Sequence, residues 1–320
     1  MSAFTSARAT LSDYVLSVIL GIIEGLTEFL PVSSTAHLRI SEALLHIDLG
    51  NGYWKMFSIV IQLGAILCLP LYFRNRIVEF LGDFPQGKRG DKTILTHPLS
   101  LTMIAFVVTA LPAFLLTKII GKHLESLTIM GTSLIVGGIV MWAVDAVYER
   151  AQHKTLARAV GADVASVAVE PRSITGCSAT DDMEDMSVGQ AVWIGFCQIF
   201  SAVFPGTSRS MSTITGGELA GMSRPAALEF SFFLSIPTMV VATLYDLFKS
   251  LRPHHGEPSA IGSMPSDAHS WIVLAIGFVV SFIVAYGVVA WFMNWVRTRG
   301  FAAFAVYRII AGAAVLWWFR

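Results

Sequence analysis

The chain has 320 residues, 54% of them hydrophobic and only 14% charged, with a formal net charge of zero; its mean hydropathy is +0.65. A soluble domain carries about 25% charged residues, so the composition excludes a soluble fold and predicts an all-α polytopic membrane protein. With no basic excess there is no electrostatic case for nucleic acid as a partner.

The first apolar run, Val15–Ile23, is followed by Glu24 where a cleaved signal would need small residues, so no signal peptide is expected there. Spanning helices need about 20 mostly apolar residues. In chain order the sequence offers an interrupted apolar segment over about 15–45, spans at about 56–73, 100–118 and 128–148, and a polar loop over 149–189. A second interrupted segment over about 190–222 follows, then spans at about 229–247, 271–295 and 303–319. Pro31 breaks the first interrupted segment and Pro205 the second, each followed at once by small hydroxyl residues. Neither half of either segment is long enough to cross. Each therefore reads as a re-entrant helical hairpin, which lipid tolerates only when it is buried in protein or lines a wet cavity. Cys68, Cys177 and Cys197 lack CxxC spacing and read as small apolar fillers.

The order of elements repeats. At an offset of 174, Gly21 meets Gly195, Glu24 meets Gln198, Pro31 meets Pro205 and Ser34 meets Ser208. At 173, Phe57-Ser58 meets Phe230-Ser231 and Leu71-Tyr72 meets Leu244-Tyr245; at 172, Phe106 to Thr109 meets Phe278 to Ser281. The reading is one integral membrane domain over 1–320: repeat 1 over about 14–148, the polar loop 149–189, and repeat 2 over about 190–320. Each repeat is a re-entrant hairpin plus three spans, six transmembrane helices in all. The odd span count gives the halves opposite orientation, an inverted-topology repeat with its site near the midplane. Arg74, Arg76, Lys88, Arg89 and Lys92 in one loop, and Arg150, Lys154, Arg158 and Arg172 in another, outnumber Lys122, Lys249 and Arg252 in the alternate loops. The positive-inside rule then makes the first two cytoplasmic and both termini external. The stretch 151–187, acidic at Asp181, Asp182, Glu184 and Asp185, reads as a loose surface loop.

Chemistry concentrates in the two interrupted segments. Residues 21–37 read GIIEGLTEFLPVSSTAH. Glu24 and Glu28 are four apart and share one helix face. Two buried like charges repel unless a cation joins them, and Mg²⁺ binds one or two carboxylates plus water and phosphate oxygens. Ser33, Ser34 and Thr35 follow Pro31, and Thr207 and Ser208 follow Pro205 and Gly206. Both look like helix starts, whose free N–H groups suit an anion. Two such starts would cradle a phosphate, with Ser210 and Gln198 beside them. His37 lies one turn after Ser34, at a spacing that can pair nucleophile with base, or phosphate ligand with acid. Arg209, the only arginine of the second segment, suits bidentate phosphate binding and stabilisation of a transferring phosphoryl group. His46, His97, His123, His254, His255 and His269 fall in loops or at span ends and receive no role.

EGLTEFLPVSSTAH (24–37) followed downstream by PGTSRS (205–210) is similar to the bacterial undecaprenyl-diphosphate phosphatase family of the bacitracin-resistance type. The resemblance extends to FSIVIQLGAI (57–66), Gly217 to Pro237 and FAVYRII (304–310). It implies six spans plus two re-entrant hairpins, and a site carried by Glu24, Glu28, Ser33, Ser34, His37 and Arg209. It also implies hydrolysis of the lipid diphosphate to the monophosphate with Mg²⁺ or Ca²⁺, recycling the carrier for peptidoglycan and other cell-wall polymers and conferring bacitracin resistance. The implied location is the bacterial inner membrane with the site open to the outer side; a homodimer is a candidate assembly. Ala36 and Met211 stand where the family commonly has glycine, and the loop 151–187 is longer than expected.

Two rivals follow from the same residues. A polyprenyl-phosphate transporter or flippase could use the same headgroup site, since interrupted helices at a repeat interface are transporter architecture. A lipid phosphatase with an SR-x₅-H-x₃-D tail is disfavoured, because Ser210 to Leu219 hold neither histidine nor aspartate.

Overall fold

Apolar residues recur at helical rather than strand spacing. The computed structural model describes residues 11–47, 52–116, 126–161, 180–251 and 267–318, with backbone only for 151–161 and 249–251, and their regular structure is helical apart from one isolated bridge between Thr180 and Met222. Lys122, Arg172, Cys177, Arg252, His123, His254 and His255 lie outside the described residues. The first interrupted segment is α1 (Asp13–Thr27) and α2 (Ser34–Leu44). Then come α3 (Gly52–Ile66), α4 (Cys68–Tyr72), α5 (Arg74–Gly82), α6 (Pro98–Leu115) and α7 (Leu127–Gly161). The second is α8 (Val188–Val203) and α9 (Arg209–Leu219), followed by α10 (Arg224–Leu251), α11 (Ala268–Thr298) and α12 (Ala302–Trp318).

Among the described residues, five helices are long and apolar enough to cross a membrane: Gly52–Tyr72, which joins α3 and α4, then Pro98–Leu115, Leu127–Arg150, Arg224–Phe248 and Ala268–Thr298. The sixth expected span falls short of that class, since α12 has 17 residues. The expected loose loop at 151–187 is corrected at its two ends, while its middle, 162–179, lies outside the described residues. Helix α7 continues through Gly161. Beyond residues 162–179, which are not described, Met183 and Met186 are buried. Asp182 and Glu184 bind Arg76 there, and Arg89 meets Asp185 at 2.8 Å. Buried methionines and ion pairs hold a stretch that composition alone marks as surface.

Helix α1 packs on α11, α8 on α6, α7 on α12, and α3 on both α10 and α11. Two glycines explain the first two contacts. A Cβ on Gly21 would come within 2.8 Å of the Gly277 carbonyl, and one on Gly195 within 2.6 Å of the Ala105 carbonyl. Only a bare Cα admits so close a backbone. Val15, Val18, Ile22 and Leu26 leave an exposed apolar stripe on α1, and Val192, Phe196 and Phe200 do the same on α8. Lipid suits such stripes, whereas the opposite faces carry the buried polar groups. Helix α1 starts where Asp13 meets His269 at 3.0 Å. Helix α8 starts at the other end of the bundle, beside the Arg76 cluster, to which the first turns of α10 also belong through Glu229.

Candidate active site

Helix α1 ends at Glu28, its C-cap, because Pro31 follows and cannot continue the ladder. Phe29 is fully buried and packs edge-on against Phe232 of α10, ring centroids 5.4 Å apart, which fixes where the turn emerges. Ser33 then caps α2 at φ 74°, its hydroxyl accepting from the Ala36 N–H at 3.5 Å. Ser208 caps α9 at φ 73°, accepting from Met211 N–H at 3.3 Å. Two non-glycine residues with positive φ at matching caps are backbone strain of the kind that clusters at functional sites. The caps shift one sequence expectation: Ser208 corresponds to Ser33, not to Ser34, and Arg209 therefore stands where Ser34 stands.

Glu28 joins the halves. Its Oε1 accepts from Arg209 Nη2 at 3.0 Å, while its Oε2 accepts from the Ser34 hydroxyl at 2.6 Å and from Gln62 Nε2 at 3.5 Å. Arg209 also donates through Nη1 to the Ser235 hydroxyl of α10. Its side chain is 10% exposed, that of Glu28 3%. In so dry a place a charge-assisted pair is strong and strictly oriented. Glu24 is fully buried, and neither carboxylate oxygen has a hydrogen-bond partner among the described residues. An orphaned buried carboxylate is costly unless a proton or a cation completes it. Glu24, Ser34, Thr35, Arg39, Ser58 and Gln62 are among the residues lining a cavity of about 90 Å³.

This geometry corrects the Ser34–His37 pairing expected from spacing. Ser34, in the first turn of α2, turns back to Glu28. His37 turns instead to α12: its Nε2 is 2.6 Å from the Tyr307 hydroxyl, the rings stack at 5.6 Å, and its Nδ1 is 2.8 Å from the Ser33 carbonyl. A carbonyl only accepts, so Nδ1 carries the proton, and in the neutral ring Nε2 accepts from Tyr307. Other expected phosphate ligands hold protein partners, although Gln198 Oε1 has none among the described residues. Gln198 donates to Thr238 at 3.2 Å, Ser208 and Ser210 share a hydrogen bond of 3.1 Å, and Ser210 donates to the Leu30 carbonyl at 2.9 Å. Thr207 contributes its carbonyl, which accepts from Arg308 at 2.9 Å.

The family model described as bacitracin resistance protein BacA matches residues 17–314. The chain belongs to the BacA family. Among its BacA relatives, an undecaprenyl-diphosphatase of Koribacter versatilis is 66% identical over 308 residues, covering 96% of this chain and 99% of the relative. The undecaprenyl-diphosphatases of Ralstonia pickettii and Caldanaerobacter subterraneus are 38% and 37% identical, and each alignment covers 94% of both chains.

Sequence reasoning missed two arginines of this BacA chain. Arg308 is fully buried and donates to the carbonyls of Pro31, Gly206, Thr207 and Ser133. One guanidinium thus ties both hairpin turns to α7. The signal was a lone arginine inside the apolar run 303–319, the kind of charge that lipid penalises. Arg39 lines the cavity and pairs with buried Glu42 at 2.8 Å; no motif drew attention to it.

The donor set fits a divalent cation. Among the described residues no group of three or more His, Cys, Asp or Glu could hold a metal. Mg²⁺, however, is commonly held by one or two carboxylates with water and phosphate completing the shell. The orphaned Glu24 oxygens beside Glu28 supply that minimum.

Proposed function

We propose that this chain is an integral membrane phosphatase that hydrolyses undecaprenyl diphosphate to undecaprenyl phosphate and inorganic phosphate. It thereby returns the lipid carrier to peptidoglycan and other cell-wall polymer synthesis and confers bacitracin resistance. The observation that carries the reading is the junction at Glu28, which Arg209 of the second half and Ser34 of the first both reach. Relatives that bear the name undecaprenyl-diphosphatase along almost their whole length support it.

The chemistry follows from what each group can do. The terminal phosphate meets Arg209, which leaves Glu28 for the stronger fork of phosphate oxygens. The N–H groups at the starts of α2 and α9 add donors. Glu28 takes the proton from the Ser34 hydroxyl, or from a water held by it, as oxygen adds to the terminal phosphorus. The bond from that phosphorus to the bridging oxygen breaks, and the lipid monophosphate departs. If Ser34 attacks, water then cleaves the phosphoserine. His37 carries its proton at Nδ1 and accepts at Nε2 from Tyr307; once Tyr307 yields Nε2, that nitrogen takes up a proton from water and passes it to the leaving phosphate. Glu24 and Glu28 would hold Mg²⁺ or Ca²⁺, which when bound neutralises charge on the phosphate oxygens.

We read the architecture as six spans and two re-entrant hairpins in an inverted repeat. Supporting this are the matching Gly21 and Gly195 contacts, the twin serine caps and the opposite ends at which α1 and α8 start. The basic loop after α4 sits with the 180–187 turn. With positive charge inside, the first hairpin enters from the outer face of the plasma membrane and its cavity opens outward.

Purified protein in detergent, given a polyprenyl diphosphate with and without chelator, tests the proposal. Phosphate release that stops on chelation is expected. Tight binding without release would instead make the site that of a carrier.

A further inference from the structure

The diphosphate headgroup carries two phosphates, and the groups assigned above reach only the terminal one. The cavity beside Ser34 has a second charged feature. Ser34, Thr35, Leu38 and Arg39 line it from α2, Ser58 and Gln62 from α3. Arg39 is the only cation among the lining residues described. It lies five residues along α2 from Ser34, about 7.5 Å of rise. Its guanidinium is fixed from behind: Nη1 donates to Glu42 Oε2 at 2.8 Å, and the fully buried Glu42 accepts at Oε1 from the Ser58 hydroxyl at 2.7 Å. The Arg39 side chain keeps 18% of its surface exposed.

We infer that Arg39 binds the lipid-linked phosphate, and so makes the site selective for a diphosphate over a monophosphate. The inference rests on the diphosphatase reading and deepens it. A headgroup laid along α2, with its terminal phosphate at Ser34 and Arg209, brings its second phosphate toward Arg39. The Glu42–Ser58 support orients the fork before substrate arrives, so little rotamer freedom is lost on binding. After the bridging bond breaks, the product keeps only the phosphate at Arg39 and loses the half held at Arg209. The lipid monophosphate is therefore held more weakly than the diphosphate and can leave.

The test compares Arg39→Lys with the parent. Lysine keeps a positive charge for Glu42, so the variant is not left with a buried unpaired carboxylate; Arg39→Gln serves as a second variant. Two probes are titrated into the purified, metal-loaded protein, inorganic pyrophosphate and inorganic phosphate. Pyrophosphate affinity is expected to fall about tenfold or more on losing the charged fork, with phosphate affinity changed less than about twofold. In turnover, KM for the polyprenyl diphosphate rises by a similar factor while kcat stays within about twofold. A purely structural role would weaken both anions together or lower kcat alone. Either pattern, or a parent protein that binds pyrophosphate no better than phosphate, overturns the inference. If the parent binds pyrophosphate selectively through Arg39 but releases no phosphate from the lipid, the diphosphatase reading fails and the assignment of Arg39 stands.

Discussion

The two hairpins share a backbone and differ in charge. Both start their second arm from a serine cap at positive φ, and both press a glycine against a neighbouring helix. In the first, Glu24 is buried with neither oxygen hydrogen-bonded among the described residues. In the second, Gln198 occupies the corresponding place and donates to Thr238. Where the first has Ser34 after its cap, the second has Arg209. The first hairpin thus carries the acids and the second the cation, and Glu28 is where they meet. A symmetric pair of helix starts would bind an anion; on the proposed function, the differences at these two positions supply a base, a cation and a place for a metal.

Substitutions that erase this division of labour should cost most. Arg209→Ala removes the cation, and kcat/KM for phosphate release should drop by about 10³-fold or more; a loss under tenfold would take Arg209 out of the reaction. Glu28→Gln keeps the shape but removes the proton acceptor, for an expected loss of about 10²- to 10⁴-fold. Ser34→Ala should lose about 10²-fold or more if its hydroxyl attacks, and near-parental turnover would leave water as the attacking group.

The acid–amide pair sharpens the comparison further. Glu24→Gln makes the first hairpin resemble the second. Because neither Glu24 oxygen has a hydrogen-bond partner among the described residues, thermal stability in detergent should not fall, while stimulation by added Mg²⁺ should disappear. The reverse change, Gln198→Glu, buries a new charge and should lower the melting temperature without creating metal dependence. Equal effects of the two substitutions would mean that the halves are not specialised. The smallest effect is expected for Tyr307→Phe. It frees His37 Nε2 from one hydrogen bond, worth about 1 kcal/mol, and should change the rate only a few-fold.

Much of this was legible before any coordinates. Pro31 and Pro205, each followed by small hydroxyl residues, announced the broken helices, and the lipid penalty on Glu24, Glu28 and Arg209 singled them out as site candidates. What was not legible depended on three-dimensional direction. Spacing alone joined Ser34 to His37, yet a residue in the first helical turn can face back to the preceding helix, as Ser34 does to Glu28. Tyr307 and Arg308 act on groups some 270 residues away in sequence, and no local pattern reports such contacts. The acidic stretch near Asp182 looked solvated because its partner, Arg76, is 106 residues distant. Arg39 escaped notice because no motif includes it and its support by Glu42 and Ser58 emerges only in the fold.

A double-mutant cycle on Glu28 and Arg209 tests most directly whether the two halves build one site. Rates of phosphate release are measured for Glu28→Gln, Arg209→Lys and the pair together. Residues that share a hydrogen bond and a reaction step are non-additive, so the double variant should be scarcely slower than the worse single one. If the two losses instead multiply, the carboxylate and the guanidinium act independently, and the joining of the halves at Glu28 is not the basis of the activity.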